Sequence, residues 1–471
     1  MVMGDMEMTV DLVVIGSGPG GYAAAFRAAD LGLDVAMIDP RPLPGGACLH
    51  EGCIPSKLYL YLTEILGESK KASVMGLHFG EPEIDLSAMR AWQSTVVDGL
   101  AKGLVNLCER HGVELVAGMA HFEDSRTVRL EGASLSRMRF KNAVIATGSS
   151  QVLFPGTESF TKKRILYCSE ALELSAIPEK MLIIGGGYEG LELATIYAAL
   201  GCRITLAEMG VQLLPDADED VVEPLSRRLS ESFEKIYTAT RITCLEEVEE
   251  GVVATFETTH GEEKHRFDKV LIATRREPVT AGLGLENTSV ELDARGFIIV
   301  DEQQRSAEKN IFAVGDVTGR MMLAANATYQ GRVAAEVIAG QPAAYDLRAI
   351  PTVVYTSPQI GWCGLTERQA RLENTPVNIE IFPWKYSGRA HITAVTDGLT
   401  KVLADPGNGR ILGVGICGAD VESLIAEAVL AIEMGATVED LALSLHPHPT
   451  FSETLCGAAA MFLNNPLIKT P

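Results

Sequence analysis

The chain has 471 residues, too many for one hydrophobic core, so three or four domains are expected. With 47% hydrophobic and 22% charged residues it reads as a folded globular protein rather than a disordered one. A formal net charge of −22 argues against a nucleic-acid partner, and no apolar run reaches the roughly 18 residues that a membrane span needs.

Met1–Val10 is acidic, lacks the basic and apolar regions of a secretory signal, and reads as an irregular lead-in to a strand at Asp11–Ile15. The turn Gly16-Ser17-Gly18-Pro19-Gly20-Gly21 follows, then an alanine-rich helix over Tyr22–Leu31 stopped by Gly32, then a strand at Val35–Ile38 closing on Asp39. This is a dinucleotide fingerprint: Gly16, Gly18 and Gly21 admit a pyrophosphate to the helix N-terminus, and Asp39 reaches a ribose hydroxyl.

Next comes Gly45-Gly46-Ala47-Cys48-Leu49-His50-Glu51-Gly52-Cys53-Ile54-Pro55-Ser56-Lys57. It reads as a short glycine-rich loop in which the backbone passes close to a flat cofactor, with Pro55 favouring an extended Ile54. Two thiols with four residues between them can open and close as a disulfide whose potential the protein sets. A structural disulfide or two inert thiols is the alternative. Cys108, Cys168, Cys202, Cys244, Cys363, Cys417 and Cys456 are scattered singly and read as small core residues or incidental thiols. That usage fits a reducing cytoplasm, where one close pair points to catalysis.

The first design then returns. Met181–Ile184 reads as a strand, Gly185-Gly186-Gly187-Tyr188-Glu189-Gly190 as the turn, Leu191–Leu200 as the helix and Arg203–Ala207 as a strand ending at Glu208. The acid falls 18 residues past the last glycine in both units, since 39 − 21 = 208 − 190 = 18. Later apolar strands, Ala143–Gly148 and Val270–Arg275, also correspond. Two nucleotide sites imply electron transfer between two cofactors; a duplicated fold with one dead site is the alternative. The cysteines follow the first unit, so that site is expected to hold the cofactor that exchanges electrons with thiols, a flavin. The second is expected to take the nicotinamide cofactor. Glu208 stands where a 2′-phosphate would sit, which favours NAD over NADP.

Toward the C-terminus, Ile350–Thr356 reads as a strand, Gly361–Glu367 as the lead into a helix, Lys401–Ala404 and Ile411–Ile416 as strands and Val421–Met434 as an amphipathic helix. In His446-Pro447-His448-Pro449-Thr450-Phe451-Ser452-Glu453, prolines flank His448 and Glu453 can accept its second N–H. Dithiol chemistry needs such a base, because the thiolate is the nucleophile. His446 reads as structural, and a metal site built from His446 and His448 would have no cysteine or further histidine to accompany them.

The cysteine segment resembles the redox-active motif of the flavoprotein disulfide reductases, and its spacing is most similar to the dihydrolipoamide dehydrogenase branch. Asn310–Asp316 resembles that family's second flavin motif, and His446–Glu453 its C-terminal His–Glu motif. The resemblance covers nearly the whole chain. It implies an α/β fold: two Rossmann-like, three-layer FAD/NAD(P)-binding domains plus a C-terminal α+β interface domain. The expected division is 1–150 (FAD-binding, first part), 151–276 (NAD-binding), 277–348 (FAD-binding or central, second part) and 349–471 (interface and dimerisation).

By the same resemblance, Cys48 is the outer sulfur attacked by substrate and Cys53 lies nearer the flavin. Asp316 binds the ribityl chain, Lys57 and Glu192 form an ion pair beside the flavin, and Tyr188 stands where nicotinamide enters. Further cofactor contacts are implied at Gly46, Gly118, Thr147, Gly148, Ala324 and Arg276. His448, oriented by Glu453, is the acid–base and reaches the disulfide of the opposite subunit of a homodimer. The activity implied is oxidation of protein-bound dihydrolipoamide with FAD and NAD as cofactors. The partner would be a lipoyl-bearing protein of a 2-oxoacid dehydrogenase complex, the glycine cleavage system or another lipoyl carrier, in the cytoplasm.

Four positions depart from the family pattern: Glu189 for an aliphatic residue, Arg275 for a glycine, Ala325-Asn326 for His-Lys, and Pro447 for alanine. Rival readings are another flavin disulfide reductase or a mainly docking flavoprotein subunit with weak turnover. Glutathione-type reductases would carry basic residues near Glu208, mercuric reductase a C-terminal cysteine pair, and soluble transhydrogenase no intact pair at Cys48 and Cys53.

Overall fold

A computed structural model describes residues 7–160 and 164–463. These described residues form two compact units: those within 1–55, 85–153 and 275–346 make the first, and those within 56–84, 154–274 and 347–471 the second.

In the first unit a parallel core runs Glu114–Ala117, Val35–Asp39, Glu7–Ile15, Arg137–Ile145, with Ile311–Ala313 also paired to Arg137–Ile145. Thr127–Glu131 and Met119–Asp124 extend the sheet antiparallel. Its residues are apolar on both faces because both are covered. Val13 and Ile15 pack with Phe122 and Phe140, while Leu12 and Val14 pack with Ala24, Ala28 and Val333. On that second face the helix Pro19–Asp30 meets the helix Ala324–Ile338, so closely that a Cβ on Gly331 would lie 2.3 Å from the Gly20 carbonyl oxygen. The first strand is longer than the sequence suggested. Glu7–Val10 pair in register with Arg137–Phe140, with the single acidic residue, Glu7, exposed and Val10 buried.

The second unit repeats the scheme with a parallel sheet ordered Lys235–Tyr237, Arg203–Ala207, Lys180–Ile184, Lys269–Ile272, Ile165–Tyr167. A three-stranded antiparallel sheet, Arg241–Val248 to Gly261–Phe267, shares its core. A five-stranded antiparallel sheet, ordered Thr352–Val354, Gln359–Gly364, Ile411–Gly418, Leu399–Ala404, Asn378–Pro383, packs on the helix Val421–Met434. Gly361–Gly364 therefore belongs to a strand, and the first helix of this sheet begins only at Glu367, where Thr366 and Gln369 form a capping box.

The cysteine segment is helical, not a loop. Cys48 lies within a short helix, Gly46–His50, and Cys53 opens a long one, Cys53–Lys71. Pro55 is the third residue of that helix, where its missing N–H has no intrahelical partner to lose, so Ile54 is helical instead of extended. Among the described residues no helix is long and apolar enough to cross a membrane.

Candidate functional site

The two glycine turns share their geometry. Gly16 has φ +105° and Gly185 φ +112°. A Cβ on Gly21 would fall 1.9 Å from the Gly16 carbonyl oxygen, and one on Gly190 would fall 2.1 Å from that of Gly185. Only glycine lets each helix start so close to its strand. The helices Pro19–Asp30 and Tyr188–Ala199 begin after Gly18 and Gly187 without side-chain caps, each pointing the positive end of its dipole toward the glycine turn, the end that attracts an anion. A Cβ on Gly187 would meet nothing within 4 Å, which leaves room there for a pyrophosphate.

The acids are held alike. Asp39 accepts from the Ser17 N–H at 2.9 Å and hydroxyl at 2.7 Å, and from the Arg41 N–H at 2.9 Å. Glu208 accepts from the Gly186 N–H at 2.6 Å and the Gly210 N–H at 2.5 Å. In each unit the carboxylate is tied to the glycine turn 22 residues before it. The uncapped helix, open turn and fixed acid fit a dinucleotide at both places.

The sulfur segment docks on the first turn. The Gly45 N–H donates to the Ser17 carbonyl at 2.9 Å, and a Cβ on Gly46 (φ +61°) would lie 2.6 Å from Gly18 Cα. Leu49 anchors the short helix among Val97, Ala101 and Ile54. Cys48 and Cys53 are both half-buried. Burial raises the pKa of the Tyr22 phenol, and the thiolate forms of Cys48 and Cys53 would raise it further. Tyr22 is not one of the residues that the fingerprint itself singles out. The available signal was its place directly after the last fingerprint glycine, where the second unit has Leu191.

Elsewhere in the first unit, Asp316 accepts from the Ser149 hydroxyl at 2.6 Å. Arg276 donates to that same hydroxyl at 2.7 Å and to the Ser149 carbonyl at 3.0 Å. The ladder of Ser149–Gln151 with Arg276–Pro278 brings these residues together, and Ser149 was not anticipated. The Thr147 hydroxyl donates to the Val279 carbonyl at 2.7 Å, Gly148 has φ +76°, and the Gly118 N–H donates to the Asp39 carbonyl at 3.0 Å. Ala324 opens its helix without a side-chain cap. Arg275 is exposed, and Asn326 is buried between the Met321 carbonyl and the Tyr345 hydroxyl.

In the second unit, Lys57 and Glu192 form an ion pair at 2.7 Å. Glu192 is 3% exposed and also accepts from the Tyr355 N–H at 3.1 Å, while the Lys57 ammonium lies 4.7 Å from the Tyr355 ring centroid. Like Ser149, Tyr355 carries no local signal in the sequence that singles it out. Tyr188 and Glu189 start the second turn's helix, and the Glu189 carboxylate lies 3.7 Å from the Cys168 sulfur.

His448 Nδ1 is 2.8 Å from Glu453 Oε1, and the other Glu453 oxygen accepts from the Thr450 N–H at 2.8 Å. Burial works to raise the Glu453 pKa, but the Thr450 N–H and His448 outweigh it and hold the carboxyl below the usual range. With Nδ1–H donating to that carboxylate, Nε2 is the atom left to take a proton. His448 is 77% exposed and His446 only 8%. His446 faces Glu427 at 2.8 Å and the Ser444 carbonyl at 3.0 Å, so the neighbouring histidines occupy opposite settings.

Residues 10–331 match the pyridine nucleotide-disulphide oxidoreductase family, and residues 350–459 match that family's dimerisation domain. The chain belongs to this family. It is 41% identical to the dihydrolipoyl dehydrogenase of Haloferax volcanii, over 98% of this chain and 97% of that one. It is 40% identical to that of Haemophilus influenzae, over 97% and 95%. Among solved structures it resembles LpdA of Mycobacterium tuberculosis, with TM-score 0.89 and 26% identity over 96% of this chain and all of the other. It also resembles RclA, an HOCl-induced flavoprotein disulfide reductase of Escherichia coli, with TM-score 0.85 and 25% identity over 98% of this chain. Family membership makes the chain a flavoprotein disulfide oxidoreductase of the dihydrolipoyl dehydrogenase type, using FAD and NAD(H), and its dimerisation domain indicates a homodimer.

Proposed function

We propose that this protein oxidises protein-bound dihydrolipoamide through Cys48 and Cys53, with FAD as the intermediate carrier and NAD+ as the acceptor. One observation carries the reading: the helix bearing Cys48 abuts the first glycine turn through Gly46 and Gly18, so the sulfurs belong to the site that would hold the flavin. The flavin would accept two electrons from the thiols and deliver them as a hydride to NAD+. Gly16, Gly18, Gly21 and Asp39 would bind its nucleotide half, with Gly46, Gly118, Thr147, Gly148, Asp316 and Ala324 completing the contacts. Gly185, Gly187, Gly190, Tyr188, Glu208 and Arg276 would serve NAD, and the Lys57–Glu192 pair would stand beside the flavin.

The chain's own residues would act in order. His448 Nε2 takes the proton from a dihydrolipoyl thiol, and the resulting thiolate attacks Cys48 of the opposite subunit. The Cys48–Cys53 bond breaks, leaving Cys53 as thiolate, and the second lipoyl sulfur then displaces Cys48. Glu453 fixes the imidazole tautomer throughout. The natural partner would be a lipoyl-bearing protein, and the scattered cysteines fit a cytoplasmic location. Segment 151–276 would be the NAD-binding domain, 1–150 with 277–348 the FAD-binding region, and 349–471 the interface domain.

The test is NAD+ reduction by free dihydrolipoamide, with NADPH and oxidised glutathione as controls. Rapid NADH formation from dihydrolipoamide, with neither control supporting turnover, is expected. No turnover in either direction, despite bound FAD and a reducible disulfide, would leave only a docking role.

A further inference from the structure

Phe451 lies between His448 and Glu453 and is 5% exposed. Its ring stacks on Trp384, with centroids 4.6 Å apart and planes 19° from parallel. Trp384 is completely buried, directly after the strand Asn378–Pro383. The backbone around it is built to admit the indole. A Cβ on Gly418 would fall 2.2 Å from the ring and one on Gly398 2.7 Å, so these two strand-side glycines leave a slot of fixed shape.

The indole also starts a chain of hydrogen bonds. Trp384 Nε1 donates to the Thr400 hydroxyl at 3.0 Å, the Thr400 and Thr454 hydroxyls are 2.8 Å apart, and the Thr454 hydroxyl donates to the Phe451 carbonyl at 2.7 Å. An indole N–H only donates and a carbonyl only accepts, so every proton in this relay points the same way, from Trp384 to the backbone of Phe451. Thr400 and Thr454 are 0% and 1% exposed, which keeps water from substituting for any link.

We propose that Trp384 is a positioning residue for His448: its slotted indole fixes the Phe451 turn from the ring face and through the relay, and thereby sets the Glu453–His448 contact. The inference rests on His448 being the base of the proposed reaction. Stacking and hydrogen bonding act on the same short turn from two sides, so a loosened turn would let the imidazole swing while the rest of the buried sheet stayed in place.

Two variants separate the contributions. W384F keeps a ring in the slot and removes the donor; T454V keeps the indole and removes both of its hydroxyl's bonds. In the FAD-loaded homodimer each is expected to lower kcat with dihydrolipoamide roughly tenfold, since small displacements of a reacting group carry losses of that order or more. The acid limb of the pH profile is expected to move down as the carboxylate's support of the imidazole weakens. NADH oxidation by ferricyanide, which needs no base, should keep the wild-type rate in both. In the double variant W384F/H448Q, the W384F loss should disappear into that of H448Q. Wild-type kcat and pH profile in W384F and T454V, equal losses in both reactions, or losses that simply multiply in the double variant would overturn the positioning role. Undiminished turnover in H448Q alone would show instead that the base assignment itself is wrong, and the inference would fall with it.

Discussion

Replacing Lys401 with methionine should destabilise the second unit, with a pH signature that identifies the cause. The Lys401 side chain is fully buried, in the strand Leu399–Ala404. Its ammonium lies 2.6 Å from Glu367, 2.9 Å from both oxygens of Asp220 and 3.1 Å from Asp218. Burial alone would push the ammonium's pKa down, but Glu367, Asp220 and Asp218 push it above 10.5. The Lys401 hydrogen bond, outweighing burial, holds Glu367 below 4.5. Swapping a whole buried ion cluster for apolar residues is often neutral, but removing one partner strands the others. K401M leaves three carboxylates facing each other, at a cost of about 3–5 kcal/mol, or a Tm drop on the order of 10 °C.

The signs follow from the shifts. A lowered Glu367 contributes stability that is complete above pH 4.5 and lost as pH falls below it. A raised Lys401 contributes stability that is complete below pH 10.5 and lost above it. In K401M the stranded carboxylates gain by taking up protons, so the Tm gap to wild type should narrow as pH falls from 7 toward 4.5. Scanning calorimetry across that range measures it, and the triple variant K401M/D220N/E367Q should recover part of the loss at pH 7. An unchanged Tm for K401M, or a gap that does not vary with pH, would refute the reasoning.

The site yields further predictions. G46V forces a side chain onto Gly18 Cα at a positive φ, so the purified protein should lose FAD, as read by the flavin-to-protein absorbance ratio; full flavin retention would contradict the docking of that helix on the first turn. E208Q weakens the two backbone contacts and removes the charge that repels a 2′-phosphate, so KM for NAD+ should rise roughly tenfold while activity with NADP+ increases; unchanged cofactor preference would count against the assignment. E453Q should lower kcat with dihydrolipoamide by about 10- to 100-fold, measured at the pH optimum, with little change in KM for NAD+. In the wild type, the lowered Glu453 contributes stability that is complete above pH 4.5, and its hold on the His448 turn should fail as pH drops through its own folded value, seen as a reversible fall in Tm that is smaller in E453Q.

Much of the site was legible because its signals are local. Each glycine turn, its helix and its acid fall within a short stretch, and the structure adds only that Asp39 and Glu208 are bound to their turns by backbone N–H groups. The His448–Glu453 contact spans five residues. The cysteine segment reads as a loop in sequence because glycine and proline usually end helices, whereas in the structure Pro55 occupies the first turn of one. What sequence could not supply was contact between distant residues. Ser149 joins Arg276 and Asp316 across a two-stranded ladder, and Tyr355 meets Glu192 from 163 residues away. Lys401 would be read as a solvent-facing strand residue until three carboxylates close over it. Apolar periodicity says which face is buried, not which charged groups converge there.

The most direct test of the account is the visible spectrum of the anaerobic protein after uptake of two electrons. Wild type is expected to show a long-wavelength band from the Cys53 thiolate against the oxidised flavin after that uptake; C48S, which has no disulfide to reduce, is expected to show it before any electrons are added and to lose it as the flavin is reduced, and C53S to lack it at any stage of the titration. A band of wild-type strength in C53S would contradict the placement of that sulfur.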